Sequence, residues 1–232
     1  MSSIAMNGGL SRPAGFYQSV VGTKVVMAAT GFVLCGFVLG HMIGNLQVFQ
    51  GPEKLNHYAE MLQGLGGALW GVRAVLLLCT GLHIISAYQL WRLKGEARPQ
   101  AYVKKATIAT SYAARTMLWS GPIIGAFLVY HILHFTTGQA LGSDFVKGDV
   151  YHNVILGFRN PAASLFYMVA NILLAMHLYH GVWSMFQTMG VNHPQHTPKL
   201  KALAKIYGWA IGIGNVSMPL AVLTGLIGGA VK

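Results

Sequence analysis

The stretch MHLYHGVWSMFQTMG (176–190) places His177 and His180 inside an apolar run long enough to be one membrane-crossing helix. A polar ring in such a run is costly unless it has something to bind. The same situation occurs three more times. His41, His83 and the doublet His131/His134 each fall in a separate hydrophobic segment, each toward that segment's C-terminal half.

Composition agrees with that reading. Of 232 residues, 54% are hydrophobic and 9% charged, and the mean hydropathy is +0.51, values outside the range of a soluble domain. Cys35 and Cys79 lie in different apolar segments and no CxxCH occurs, so neither a disulfide framework nor covalent haem attachment is expected. Both cysteines read as small packing residues. The N-terminal MSSIAMNGGLSRPAGFY is polar and glycine-rich and lacks the pattern of a cleaved signal peptide.

Five segments are long enough to cross a hydrocarbon core of about 30 Å, which takes roughly 20 helical residues. They run over 25–49, 66–90, 117–137, 162–186 and 207–231. Helix is the expected form, because lipid leaves no backbone group to be satisfied by water and the alternation of a barrel strand is missing. The expectation is one all-α integral membrane domain. Turn signals fall between the spans, at Gly51-Pro52, between Gly95 and Pro99, from Gly138 to Asn160, and from Asn192 to Pro198.

Charge sets the orientation. Arg12, Lys24, Arg92, Lys94, Arg98, Lys104, Lys105, Arg115, Lys199, Lys201 and Lys205 fall on one side of the five-span arrangement, eleven of sixteen cations. Lys54, Arg73, Lys147, Arg159 and Lys232 fall on the other, with the acids Glu53, Glu60, Asp144 and Asp149. The positive-inside rule then puts the N-terminus in the cytoplasm of a bacterial inner membrane. A net charge of +11 needs no nucleic acid to account for it, since a basic face suits anionic lipid or a soluble partner.

Depth along the spans sorts the histidines. His41 lies 17 residues beyond Lys24 and His131 16 beyond Arg115, roughly 24 to 26 Å from the basic side. His83 lies 9 before Arg92 and His180 10 before Gly190, roughly 14 to 15 Å from it. Two helices with one histidine each at an outer level and two at an inner one is what a four-helix bundle needs to hold two planar macrocycles with bis-imidazole iron. Gly31, Gly36, Gly40, Gly81 and Gly181 leave room for flat rings, although close helix packing also uses glycine. A lone intramembrane histidine can equally be a hydrogen-bonded packing residue, and spacing alone leaves both doublets open.

The runs GFVLCGFVLGHMIGN (31–45), LCTGLHIISAYQLWR (78–92), FLVYHILHFTTG (127–138) and HLYHGVWSMFQTMG (177–190) resemble the haem-carrying helices of a known family. It is the dihaem cytochrome b membrane subunit, b558 type, of succinate:quinone oxidoreductases and quinol:fumarate reductases. The resemblance covers nearly the whole chain, including a fifth helix without histidine. It implies His41 and His131 as ligands of an outer, distal haem b, and His83 and His180 as ligands of an inner, proximal one. His134 and His177 are then neighbours of the ligands or packing residues. Fumarate-reducing members with a transmembrane proton path carry an acid two positions before the fourth ligand, where this chain has Leu178.

The resemblance further implies an electron conduit and anchor with no catalytic residue of its own. Succinate or fumarate chemistry would belong to an FAD flavoprotein and an iron–sulfur subunit docked on the cytoplasmic face, with menaquinone favoured as the membrane partner. Lys24, Tyr112 and Arg115, at cytoplasmic helix ends, are candidates for haem propionates, though snorkelling accounts for such cations too. Glu60, with Asn45, Gln47 and His57 nearby in sequence, is the candidate for the quinone proton site. His152, His193 and His196 fall outside the apolar spans, and Trp70, Trp91 and Trp119 fit an interfacial belt. Two alternatives are a cytochrome b anchor of a hydrogenase or formate dehydrogenase, and a haem-free transporter using the histidines as a relay.

Overall fold

The computed structural model describes residues 19–97, 111–191 and 193–229. Arg12, Arg98, Pro99, Lys104, Lys105, Asn192, Val231, Lys232 and the N-terminal segment up to residue 17 therefore lie outside the described residues. The described chain is helical, without a strand, and five helices have the length and apolar composition of membrane spans.

Helix α1 covers Val20–Asn45, started by the Ser19 hydroxyl accepting the Gly22 N–H at 2.9 Å. A 3-10 turn, Leu46–Gln50, continues it, and Gly51 at φ 98° breaks it. Pro52 then opens α2, Pro52–Gly64, and α3 follows over Gly67–Glu96. Helix α4 covers Tyr112–His131 and passes into a π turn at Ile132–Thr136, where the Thr137 N–H reaches back five residues to the Ile132 carbonyl. Asp149 caps α5, Val150–Arg159, and Asn160 caps α6, Pro161–Thr188. Helix α7 covers Thr197–Leu223.

These bounds correct three expectations. The fifth span begins ten residues before 207, because TPKLKALAKI keeps a helical apolar face while its lysines stay exposed. It ends at Leu223 rather than 231, where Gly225 and Gly228 take positive φ. The stretches between spans one and two and between three and four are not simply loops. Both hold a short helix, α2 and α5, whose starts at Pro52 and Asp149 double as turn signals.

The two short helices lie together at one end of the helices, away from the start of α1. The Asn56 amide donates to Asp149 at 2.9 Å and its oxygen accepts the Tyr151 N–H at 2.9 Å. Beneath them Val48, Leu55, Ile155, Phe158, Tyr167 and Val222 form the larger core cluster. A smaller one, Met42, Leu178 and Ile211, sits where α1, α6 and α7 meet.

Helices α6 and α7 are the tightest pair, and small residues explain it. An added Cβ at Gly208 would come within 2.7 Å of the Ala175 carbonyl, and one at Gly212 within 2.9 Å of the Ala175 side chain. Lipid tails are as apolar as leucine, so close backbone approach is what drives such pairing. Asn215 adds a hydrogen bond to Asn171 at 2.9 Å, worth about 0.6 kcal/mol by the average for such bonds in membranes. Helix α3, by contrast, packs closely on α1 alone, and α4 on α6.

Aromatic and cationic pairs mark both ends of the spans. Arg73 lies 4.9 Å from the Trp70 ring at the start of α3, and Lys201 lies 5.1 Å from Trp183 at the opposite end. Trp91 and Trp119 are exposed, as residues at a lipid boundary are.

Candidate functional site

The C-terminal ends of α1 and α4 bring His41 and His131 together. Their ring centroids are 5.7 Å apart and the planes are perpendicular, at 89°. His41 stacks on Phe37 one turn earlier, at 5.2 Å, and the Asn45 amide bonds the His41 carbonyl at 2.7 Å. His131 is flanked by Phe127 and Phe135.

Tyr167 of α6 joins the two histidines of this doublet. Its hydroxyl is 3.3 Å from His131 Nδ1 and 3.1 Å from His134 Nδ1. The His134 ring is only 2% exposed, lies against Phe135 at 4.1 Å, and touches α5 so closely that a Cβ at Gly157 would sit 2.8 Å from its Nε2. One nitrogen of His134 is engaged and the other is walled in by backbone. A macrocycle has no room there.

The inner site pairs α3 with α6. His83 faces His177, ring centroids 6.3 Å apart and planes at 56°. Counted along the helices, His83 lies about 20 Å from the end of α3 at Glu96, and His177 about 16 Å and His180 about 12 Å from the end of α6 at Thr188. His177 is thus the one nearer in level, and His180 makes no ring contact of this kind among the described residues. Both histidines point away from α7, since Ala175 and Tyr179 hold that side of α6.

Side-chain hydroxyls orient these rings. The Thr30 hydroxyl donates to the Val26 carbonyl at 2.8 Å, which leaves its oxygen to accept from His83 Nδ1 at 3.3 Å. Ser120 Oγ lies 3.5 Å from His177 Nδ1. An Nδ1–H bonded in this way leaves the Nε2 lone pair free for a metal, the arrangement found around ligating histidines. Neither Thr30, Ser120 nor Tyr167 was visible as a site residue in the sequence, because each lies 33 to 57 positions from the histidine it touches.

The pairs fit a metal already held in a planar ring. Two imidazoles on opposite sides of one ion, at metal–nitrogen distances of about 2 Å, have centroids about 6 Å apart. Two protein donors are the number a haem iron takes axially. An added Cβ would meet nothing within 4 Å at Gly36, Gly40, Gly81 or Gly181, whereas Gly31 packs against His83.

The other candidates are placed less centrally. Lys24 is exposed near the start of α1, and at the start of α4 Arg115 lies over the exposed Tyr112 ring at 5.6 Å. Glu60 sits on the exposed face of α2 with His57, one turn before it, also exposed. Gln47 is half-buried in the 3-10 turn, His152 is half-buried in α5, and His193 and His196 are exposed together in the loop before α7.

No protein-family model, curated protein or solved structure matches the chain.

Proposed function

We propose that the chain is a dihaem cytochrome b that anchors a soluble dehydrogenase to a bacterial inner membrane and passes electrons between it and quinone. The observation that carries this reading is the two facing histidine pairs, His41/His131 and His83/His177, on two different pairs of membrane-spanning helices. When bound, two haems b would supply one-electron carriers at an outer and an inner level of a four-helix bundle built from α1, α3, α4 and α6.

The chain's own residues do the holding. His41 and His131 would hold the outer haem iron through their ring nitrogens. Phe37, Phe127 and Phe135 flank those rings and would hold them in place. Thr30 sets the tautomer of His83. On α6 the resemblance implies His180, while the facing geometry supports His177, and we place the inner ligand at His177. His180 then lies about a turn nearer the basic end of α6 and would not hold the iron.

Charge supports the side on which a partner docks. Lys24, Arg92, Lys94, Arg115, Lys199, Lys201 and Lys205 gather at one set of helix ends, and Glu53, Glu60, Asp144 and Asp149 at the other. The basic end is the cytoplasmic one in this reading. It receives the flavoprotein and iron–sulfur subunits of a succinate dehydrogenase or fumarate reductase, with menaquinone as membrane partner and Glu60 serving protons at the outer end. The chain brings no iron–sulfur cysteine cluster of its own. A hydrogenase or formate dehydrogenase anchor would carry its partner on the end opposite the basic one, and a histidine-relay transporter would carry no haem. Purification of the chain with its bound subunits, followed by haem quantitation and identification of those subunits, separates the three.

A further inference from the structure

We propose that Tyr167 is the positioning residue of the outer ligand, its hydroxyl shared between His131 and His134 so that the pair of hydrogen bonds sets how strongly His131 donates to its metal. This rests on the haem reading above. Tyr167 is 3% exposed and its oxygen lies within hydrogen-bond distance of both Nδ1 atoms, at 3.3 and 3.1 Å.

Proton bookkeeping gives the chain one direction. A histidine that binds metal through Nε2 carries its proton on Nδ1, so His131 must donate to the Tyr167 oxygen. The phenol proton is then free to go to His134 Nδ1. Donation onward makes the phenol oxygen a better acceptor for the His131 proton, because hydrogen bonds in series polarise one another in a low-dielectric interior. The more strongly that proton is held, the more electron-rich is Nε2, and an electron-rich ligand stabilises the oxidised metal.

The structure holds all three groups in place. The Tyr167 ring is set edge-on between Phe127 at 5.0 Å and Phe158 at 5.1 Å. His134 is fixed by Phe135 on one side and Gly157 on the other. It also lies within the π turn, a rare departure from α register that concentrates at functional positions. His41 has no equivalent partner on Nδ1 among its described hydrogen bonds, so the adjustment falls on the His131 side of the outer pair.

The test is a redox titration of b-type absorbance on membranes containing the full chain, with the outer component identified by its loss in His41→Ala. Tyr167→Phe keeps the ring and removes the hydroxyl. The expected result is full haem content, an outer midpoint shifted to higher potential and an unmoved inner one. His134→Phe keeps an aromatic ring and removes the acceptor, and should shift the same component the same way by less. The double variant should shift it no further than Tyr167→Phe alone. An unmoved outer midpoint in Tyr167→Phe, or equal shifts of both components, overturns the proposal. If Tyr167→Phe loses the outer haem, His134→Phe decides, an upward shift supporting the proposal and an unmoved midpoint overturning it. A wild-type chain without b-type absorbance would fail earlier, by removing the haem reading itself.

Discussion

His83 of α3 and His177 of α6 face each other with ring centroids 6.3 Å apart, the spacing of two imidazoles on one iron. Among the described residues the two helices make little backbone contact, so the two rings meet across the gap between α3 and α6. Replacing either by Ala should remove the inner haem and leave at least part of the outer one, while His180→Ala should retain both. Optical spectra of the three variants in membranes check this. Loss of the inner haem in His180→Ala with retention in His177→Ala would return the ligand to His180.

The outer pair makes the complementary prediction. His41→Ala and His131→Ala should each remove the outer haem alone. His134→Ala should keep two haems per chain, because its ring is enclosed by Phe135 and Gly157 and has no face open to a macrocycle. A haem lost in His134→Ala but kept in His131→Ala would reverse the roles within that doublet.

Gly208 tests the scaffold separately from the cofactors. Its missing side chain lets α7 approach the Ala175 carbonyl, so Gly208→Val forces the helices apart or strains them, at a cost of about 1–3 kcal/mol. Asn215→Leu, which breaks the bond to Asn171, should cost less, about 0.6 kcal/mol. Thermal inactivation of the detergent-solubilised chain should show the larger drop for Gly208→Val. Equal stability of that variant and the wild type would mean the close approach is not what holds α7.

Glu60→Gln addresses the quinone end. Both haems and electron transfer from succinate to an artificial acceptor should survive in the complex, while transfer to quinone falls on the order of 100-fold, the effect of losing a proton-transfer group. Full quinone-linked turnover would place quinone chemistry elsewhere. Glu60 is exposed on α2, so the variant should fold normally.

The spans were legible because lipid demands length and apolarity at once, and both can be read residue by residue. Depth was legible only in part, because helix ends rather than single charges set the count: His83 and His180, placed at one level by Arg92 and Gly190, lie about 20 and about 12 Å from the ends of α3 and α6. The doublets were not legible. Residues three apart share nearly one face, and only contacts from other helices set them apart, Gly157 against His134 and His83 opposite His177. Helices α2 and α5 were missed for a different reason. Pro52 and Asp149 are residues that end and begin structure alike, and the short helices they start are stabilised by Asn56, Leu55 and Ile155 against each other rather than by span-like hydrophobicity. The tight α6–α7 seam had a signal that went unread, the Gly208-x-x-x-Gly212 spacing in GWAIG.

The most direct measurement is the haem content of the purified full chain, with its spectrum. The account predicts two b-type haems per chain, both low-spin with two nitrogen ligands, falling to one in His41→Ala and to one in His177→Ala. A correctly folded chain with no b-type absorbance, or with a haem count that none of His41, His83, His131 and His177 changes, would contradict it.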